Sequence, residues 1–231
     1  FKQKTAYEIV DCDWSSDVCS SDLGTKKPII LSTGASNYEE IDFAINLLKK
    51  HHVKDYSLLQ CTAKYPAPLE KLNLGAIPEM EKRYDVQIGL SDHSLDPVIG
   101  PLIAVGLGAK IIEKHFTLDR NLSGPDHKFA LEPHELKRMV QSIKMAEMTI
   151  GDGKKRVLDV EKELRDFAVR RIQASKDIKK GERFVEGYNV STLRPGKRLR
   201  GAEARFLSKI IGKKSKRSIK IGDGIRLQDC I

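Results

Sequence analysis

The 231-residue chain has no apolar run approaching the roughly 18 residues that a membrane-spanning helix needs, so no membrane partner is expected. A charged n-region followed by an apolar h-region is missing too, which makes the cytoplasm the expected compartment. Cysteine is scarce. Cys12, Cys19, Cys61 and Cys230 are scattered, and their spacing indicates neither a zinc site nor a disulfide framework. Aromatics make up only 6% of residues, with one tryptophan, Trp14. What remains, 40% hydrophobic and 32% charged, describes a soluble globular protein of one or two domains.

Residues 1–23 do not belong with the rest of the chain. They hold the only tryptophan and half of the cysteines, and their Asp/Ser-rich half shows no periodicity. The stretch resembles a peptide that arises when sequencing adaptor is translated, and it is expected to be a non-native leader. A natural disordered leader is the alternative.

From Lys27 the pattern turns regular. Short apolar runs near residues 29–32, 57–61, 87–90 and 110–113 read as strands, separated by segments long enough for helices. Asn37 has the position of an N-cap for a helix over 38–51, with Ile41, Ala44, Ile45 and Leu48 on one face. Residues 69–84 read as helical, with Pro78 ending or restarting a turn. A further helix opens at Pro133, carries the stripe Leu136, Met139, Val140 and Ile143, and stops at Gly151. Strand and helix in alternation predict an α/β fold with parallel strands.

The strands near 87–90 and 110–113 each end in a polar cluster holding a histidine, Ser91-Asp92-His93 and Glu113-Lys114-His115. Parallel α/β sheets place their chemistry at these strand ends. Two histidines at equivalent ends of neighbouring strands suit a divalent metal, with Asp92, Glu113 or Asp126 filling or orienting the shell. Each histidine could equally cap its strand or bond a loop carbonyl, and spacing leaves both readings open.

Residues 151–168 read as a charged linker with a short helix. Beyond Val169, β-like runs at 171–174, 188–193, 217–219 and 224–227 alternate with turn signals such as Lys180-Gly181 and Pro195-Gly196. Residues 151–231 hold 23 Lys and Arg against 11 Asp and Glu, so the chain's surplus of nine positive charges lies here. Such a surplus invites a nucleic-acid reading. Beyond Phe167, only Phe184, Tyr188 and Phe206 are available there for base stacking, so no nucleic-acid partner is expected. A solvated face or the steering of small anions accounts for the charge instead.

The segments GLSDHS (89–94), GAKIIEKHF (108–116) and GPDHKFALEP (124–133), with IILSTGASNYEEI, LLQCTAKYPAP, ASKDIKKGE and LRPG on either side, resemble the N-acetylneuraminate (sialic acid) synthase family over residues 26 to 231. The resemblance implies the second half of a (β/α)8 TIM barrel, four βα units in residues 24–150. After the linker, a small β-rich antifreeze-like domain occupies residues 169–231. It further implies that the barrel's first half, with its lysines, is absent from this chain, and that the chain alone is inactive. The implied reaction condenses phosphoenolpyruvate with an N-acetylated aldose, N-acetylmannosamine or a diacetamido hexose, to a nine-carbon ulosonic acid and phosphate.

By that resemblance His93 and His115 bind a divalent metal, Mn²⁺ or Mg²⁺, and Glu113 is the catalytic carboxylate. Ser32 and Ser91 contact phosphate, and Tyr65 and Asp126 contact the sugar. Arg194 reaches the active site of the partner subunit in a homodimer. Ala63 departs from the family, which frequently has Asn there, and so alters the implied pocket. The alternatives are a non-catalytic basic module that binds an anionic polymer, and another phosphoenolpyruvate–aldose synthase. The choice among sialic, legionaminic, pseudaminic and spore-coat sugars stays open.

Overall fold

The computed structural model describes residues 27–231, so the leader expected at 1–23 lies outside the described residues. The chain divides between Gly153 and Lys154 into two compact units. In the first, β1 (Ile29–Ser32), α1 (Tyr38–Lys50), β2 (Tyr56–Cys61), α2 (Ala76–Tyr84), β3 (Ile88–Asp92), α3 (Ile99–Gly106), β4 (Ile112–Lys114) and α4 (Pro133–Ile150) alternate along the chain. The strands form a curled sheet in the order β1-β2-β3-β4, every neighbouring pair parallel. No helix among the described residues is long and apolar enough to cross a membrane.

Local chemistry sets the element ends. The Asn37 side chain accepts from the Glu40 N–H at 3.0 Å, and Glu40 accepts from the Asn37 N–H at 2.7 Å. This reciprocal cap starts α1 and is worth about 1 kcal/mol. Asp96 plays a similar part before α3, accepting from the N–H groups of Val98 and Ile99 at 2.7 Å each. The interruption expected at Pro78 falls earlier. A single 3₁₀ turn (Leu69–Lys71) gives way to α2 at Ala76, and Pro78 sits inside its first turn, where a missing N–H costs nothing.

Residues alternate between the two faces of a strand. The register pairs Leu58 with Ile88 and Leu90 with Ile112, which share one face and pack with Ile41, Ile45, Ile77 and Met80 from α1 and α2. The opposite face carries Leu59, Cys61, Gly89, Ser91 and Glu113. A Cβ on Gly89 would stand 2.5 Å from both the Leu59 side chain and the Ile111 carbonyl. Only glycine lets Leu59 lie across β3, and Leu59 is fully buried there.

In the second unit, α5 (Lys162–Ala168) precedes an antiparallel pair, β5 (Arg171–Ala174) and β6 (Val190–Leu193). The strand expected from 188 starts later, because Asn189 and Val190 both donate to the Val185 carbonyl in a turn. The runs at 217–219 and 224–227 make only the single bridges Ile178–Ile219 and Gln173–Gly224. Short loop returns, rather than long strands, supply this unit's backbone bonds. Its core gathers Ile172, Phe184, Val190, Ile210, Ile219 and Ile225. Gln173 is buried beside it, donating to the Leu199 and Gly222 carbonyls at 3.0 and 2.8 Å and accepting from the Gly201 N–H at 2.8 Å.

Asp229 is also buried, and it accepts from Arg217 at 2.7 and 3.1 Å and from the Arg226 N–H at 2.8 Å. Burial alone would raise its pKa, but Arg217 and the Arg226 N–H outweigh burial and hold the carboxyl below its usual range. A depressed carboxylate stabilises the fold above the unfolded pKa of about 3.9, and this contribution fades as pH falls through the folded value. Asp229→Asn should therefore cost about 1.5–3 kcal/mol near neutral pH and flatten the acid limb of stability. Urea unfolding of the second unit across that pH range checks both expectations.

Candidate functional site

The expected site residues of the first unit collect at the C-terminal ends of the four strands. Ser91 and Glu113 are register partners on the face turned away from the helices, and the Ser91 hydroxyl donates to Glu113 Oε1 at 2.6 Å. Cys61, the register partner of Ser91 on β2, extends the row. Ser32 ends β1, exposed and near enough to Cys61 to affect its thiol.

His93 and His115 come two residues after Ser91 and Glu113, and their ring centroids stand 5.3 Å apart. Nδ1 of His93 lies 3.2 Å from the Thr62 carbonyl. A carbonyl can only accept, so Nδ1 carries the proton and the Nε2 lone pair of the neutral ring is directed elsewhere. Nδ1 of His115 lies 3.8 Å from Asp126 Oδ2. A ring nitrogen turned to an oxygen acceptor, with the other left for an ion, is the usual orientation of a metal-binding histidine. An imidazole centroid stands roughly 3.2 Å from an ion bound at about 2.1 Å, so two rings within about 6.5 Å can share one ion. The pair fits a divalent metal.

Tyr65 covers this pair, its ring 4.1 Å from His93 and 5.8 Å from His115, and Phe129 packs beside Tyr65 at 5.5 Å and His115 at 5.0 Å. The loops are tied to the histidine backbones: Ala67 N–H donates to the His93 carbonyl at 2.9 Å and Leu131 N–H to the His115 carbonyl at 2.8 Å. Main-chain bonds near Tyr65 and Asp126 thus bring both residues to the histidines.

Asp92 does not join them. It points to the helix face, where Lys114 Nζ stands 2.7 Å from its Oδ2 and both side chains are almost fully buried. Asp92 is therefore excluded from the metal shell suggested by its place in the sequence, and Lys114 is unavailable to Glu113. Arg194 comes directly after β6 in the second unit, where it is exposed. Ala63 and Thr62 line an adjoining cavity of about 630 Å³ between the loops after β1 and β2, with Cys61, Asn37, Gln60 and Lys71. Among the described residues one trio of metal-type ligands also clusters: Glu132, His134 and Glu135. There Glu135 caps the N-terminus of α4 and pairs with Arg120, a structural duty.

Cys61 and Thr62 are site residues that sequence reasoning missed. The only available signal was position: Cys61 ends a strand two residues beyond the inward-facing Leu59. Burial pushes the Cys61 thiol up, but the His93 hydrogen bond at 3.8 Å, aided by Ser32 and Ser91, leaves its pKa below the ordinary value. His93 responds in the opposite sense. Burial would lower it, and Cys61 and the Thr62 carbonyl raise it on balance.

Sequence comparison finds a match to the NeuB family over residues 13–155 and to the SAF domain over residues 169–229. The first match begins within the stretch expected to be a leader. A pseudaminic acid synthase of Campylobacter jejuni is 41% identical over 207 residues, which cover 88% of this chain and 58% of that protein. An N,N'-diacetyllegionaminic acid synthase of the same species is 43% identical over 202 residues, covering 87% of this chain and 59% of the relative. Among solved structures, the spore coat polysaccharide biosynthesis protein spsE of Bacillus subtilis superimposes with a TM-score of 0.53. Its sequence identity is 37%, and the match covers 90% of this chain and 62% of that one. The chain thus spans about 60% of the length of these relatives.

If the His93 contact sets the Cys61 thiol, His93→Ala should raise its pKa and so reduce the thiolate fraction at neutral pH. Thiolate absorbance monitored against pH, with Cys61→Ser as the subtraction, measures it. An unchanged titration would place the cause elsewhere.

Proposed function

Because the chain belongs to the NeuB family, we propose that it carries the metal-binding and carboxylate half of a synthase site. This site joins phosphoenolpyruvate to an N-acetylated aldose, N-acetylmannosamine or a diacetamido hexose. The observation that carries the reading is the His93–His115 pair beside the Ser91–Glu113 hydrogen bond at neighbouring strand ends. In this reading the four βα units are the second half of a (β/α)8 barrel, whose chemistry sits at that end of the strands. The second unit belongs to a second copy's site, with Arg194 reaching the sugar's N-acetyl group in a homodimer.

The reaction forms a bond between C3 of phosphoenolpyruvate and the aldehyde carbon, adds water at C2, and releases phosphate by cleavage of its C2–O bond. His93 and His115 would hold the divalent ion, and two imidazoles favour Mn²⁺ over the harder, oxygen-seeking Mg²⁺. The bound ion supplies Lewis acidity at the aldehyde oxygen. Glu113 faces the carbon that becomes cationic, where a carboxylate stabilises charge or takes a proton from the entering water. Ser91 has one proton, and it is given to Glu113. Donation to a phosphate oxygen therefore requires Ser91 to release Glu113, or Glu113 to hold a proton of its own. This couples phosphate arrival to the state of the carboxylate. Ser32 offers a second hydroxyl, Tyr65 shields the histidines from water and meets the sugar, and Asp126 accepts from sugar hydroxyls while orienting His115.

Grafting residues 27–231 in place of the matching segment of a full-length relative tests the reading. The chimaera should turn over phosphoenolpyruvate with Mn²⁺ and one of these aldoses, and the chain alone should be at least tenfold slower, for want of positioning groups. Within the chimaera, Glu113→Gln should lower kcat about 10²–10⁴-fold. A folded chimaera inert toward every one of these sugars would overturn the assignment.

A further inference from the structure

Lys114 lies between Glu113 and His115 in sequence, yet its side chain leaves the site by the opposite face of β4. Its side chain is 3% exposed, and its ammonium is surrounded by oxygen: Asp92 Oδ2 at 2.7 Å, the Ser94 carbonyl at 2.6 Å, Ser94 Oγ at 3.3 Å and the Asp96 carbonyl at 3.1 Å. Every one of these acceptors belongs to residues 92–96, the strand end and loop that carry His93. Asp92 in turn accepts from the Ser94 N–H at 2.8 Å, closing a ring around His93. Gly100 of α3 makes room for it: a Cβ there would stand 2.9 Å from Asp92 Oδ2.

A core built only for stability does not need this arrangement. Buried ion pairs barely repay their desolvation, and apolar pairs of similar volume often do as well. What the charge pair provides here is direction. Three donors on one nitrogen fix two loop carbonyls and a carboxylate at once, and that loop has no regular secondary structure to hold it. We propose that Lys114 is a positioning residue, which clamps the loop after β3 and so sets the orientation of His93 relative to His115 without touching substrate. This rests on the reading of the two histidines as one site. It adds that the separation between them is determined from behind the sheet, by the residue that separates Glu113 from His115.

Lys114→Met alone leaves Asp92 as an uncompensated buried charge and can abolish folding. The informative variant is therefore the pair Asp92→Leu with Lys114→Met, which removes both charges and both halves of the clamp. Imidazole ¹⁵N–¹H correlation spectra are recorded without metal, and then Mn²⁺ titration and thermal unfolding are measured. The paired variant should melt within a few degrees of the parent and leave His127 unchanged, since that ring is held elsewhere by Thr117 at 2.7 Å. The His93 Nδ1–H signal should broaden or switch tautomer, and Mn²⁺ affinity should fall about 10–100-fold. A folded variant with an unaltered His93 ring overturns the proposal, and so does a variant in which every histidine shifts together. If His93 changes as expected while neither protein binds Mn²⁺, the clamp stands and the metal reading of the pair fails.

Discussion

Everything at the strand ends depends on the parallel register of β3 against β4. Because successive side chains take opposite faces, pairing Ser91 with Glu113 also pairs Asp92 with Lys114. One face then receives a hydroxyl, a carboxylate and, two residues on, two imidazoles. The other receives an ion pair sealed under α3 and the loop before it. A slip of one residue would exchange these sets, bringing Lys114 beside His93, turning Glu113 and His115 toward the helices, and leaving apolar Ile112 facing away from them. The core and the site thus enforce the same register.

Much of the first unit was legible because its strands are short apolar runs broken by polar clusters, and periodicity reports burial directly. The helix over 38–50 was readable from Asn37 and its stripe, since cap and stripe are local. Pro78 misled because proline is tolerated in a first turn, and no local feature says where that turn begins. The weak strands of the second unit were hard for a different reason. Residues 217–219 and 224–227 have strand-like composition, but each meets its partner in one bridge. Composition cannot count partners.

At the site, residue types were legible and faces were not. His93, His115 and Glu113 stood out because ionisable groups closing apolar runs are costly unless used or paired. Asp92 has the same credentials, and its assignment to the hidden face comes only from counting residues against a partner strand. Cys61 was missed because its role comes from contact with His93 across 32 positions of sequence. The family resemblance supplied roles for Ser32, Tyr65 and Asp126 that no spacing could. The comparisons carry the family, and the relatives' differing sugar names leave substrate choice to experiment.

Gln173 gives the second unit a vulnerability of another kind. Its amide nitrogen serves the carbonyls of Leu199 and Gly222, 26 and 49 residues away, and its oxygen accepts from Gly201 in the first of these two segments. Hydrolysis of that one amide to a carboxylate would turn the two-way donor into an anion facing two carbonyl oxygens, all of them buried. Ageing of the folded chain at this atom would be unfavourable enough to be resisted, since the enclosed amide excludes the water that hydrolysis needs. In an unfolded or partly made chain the same amide is open to water. A molecule damaged there before folding would lack the donor that ties both segments to β5, so chemical history is screened at the moment the unit assembles.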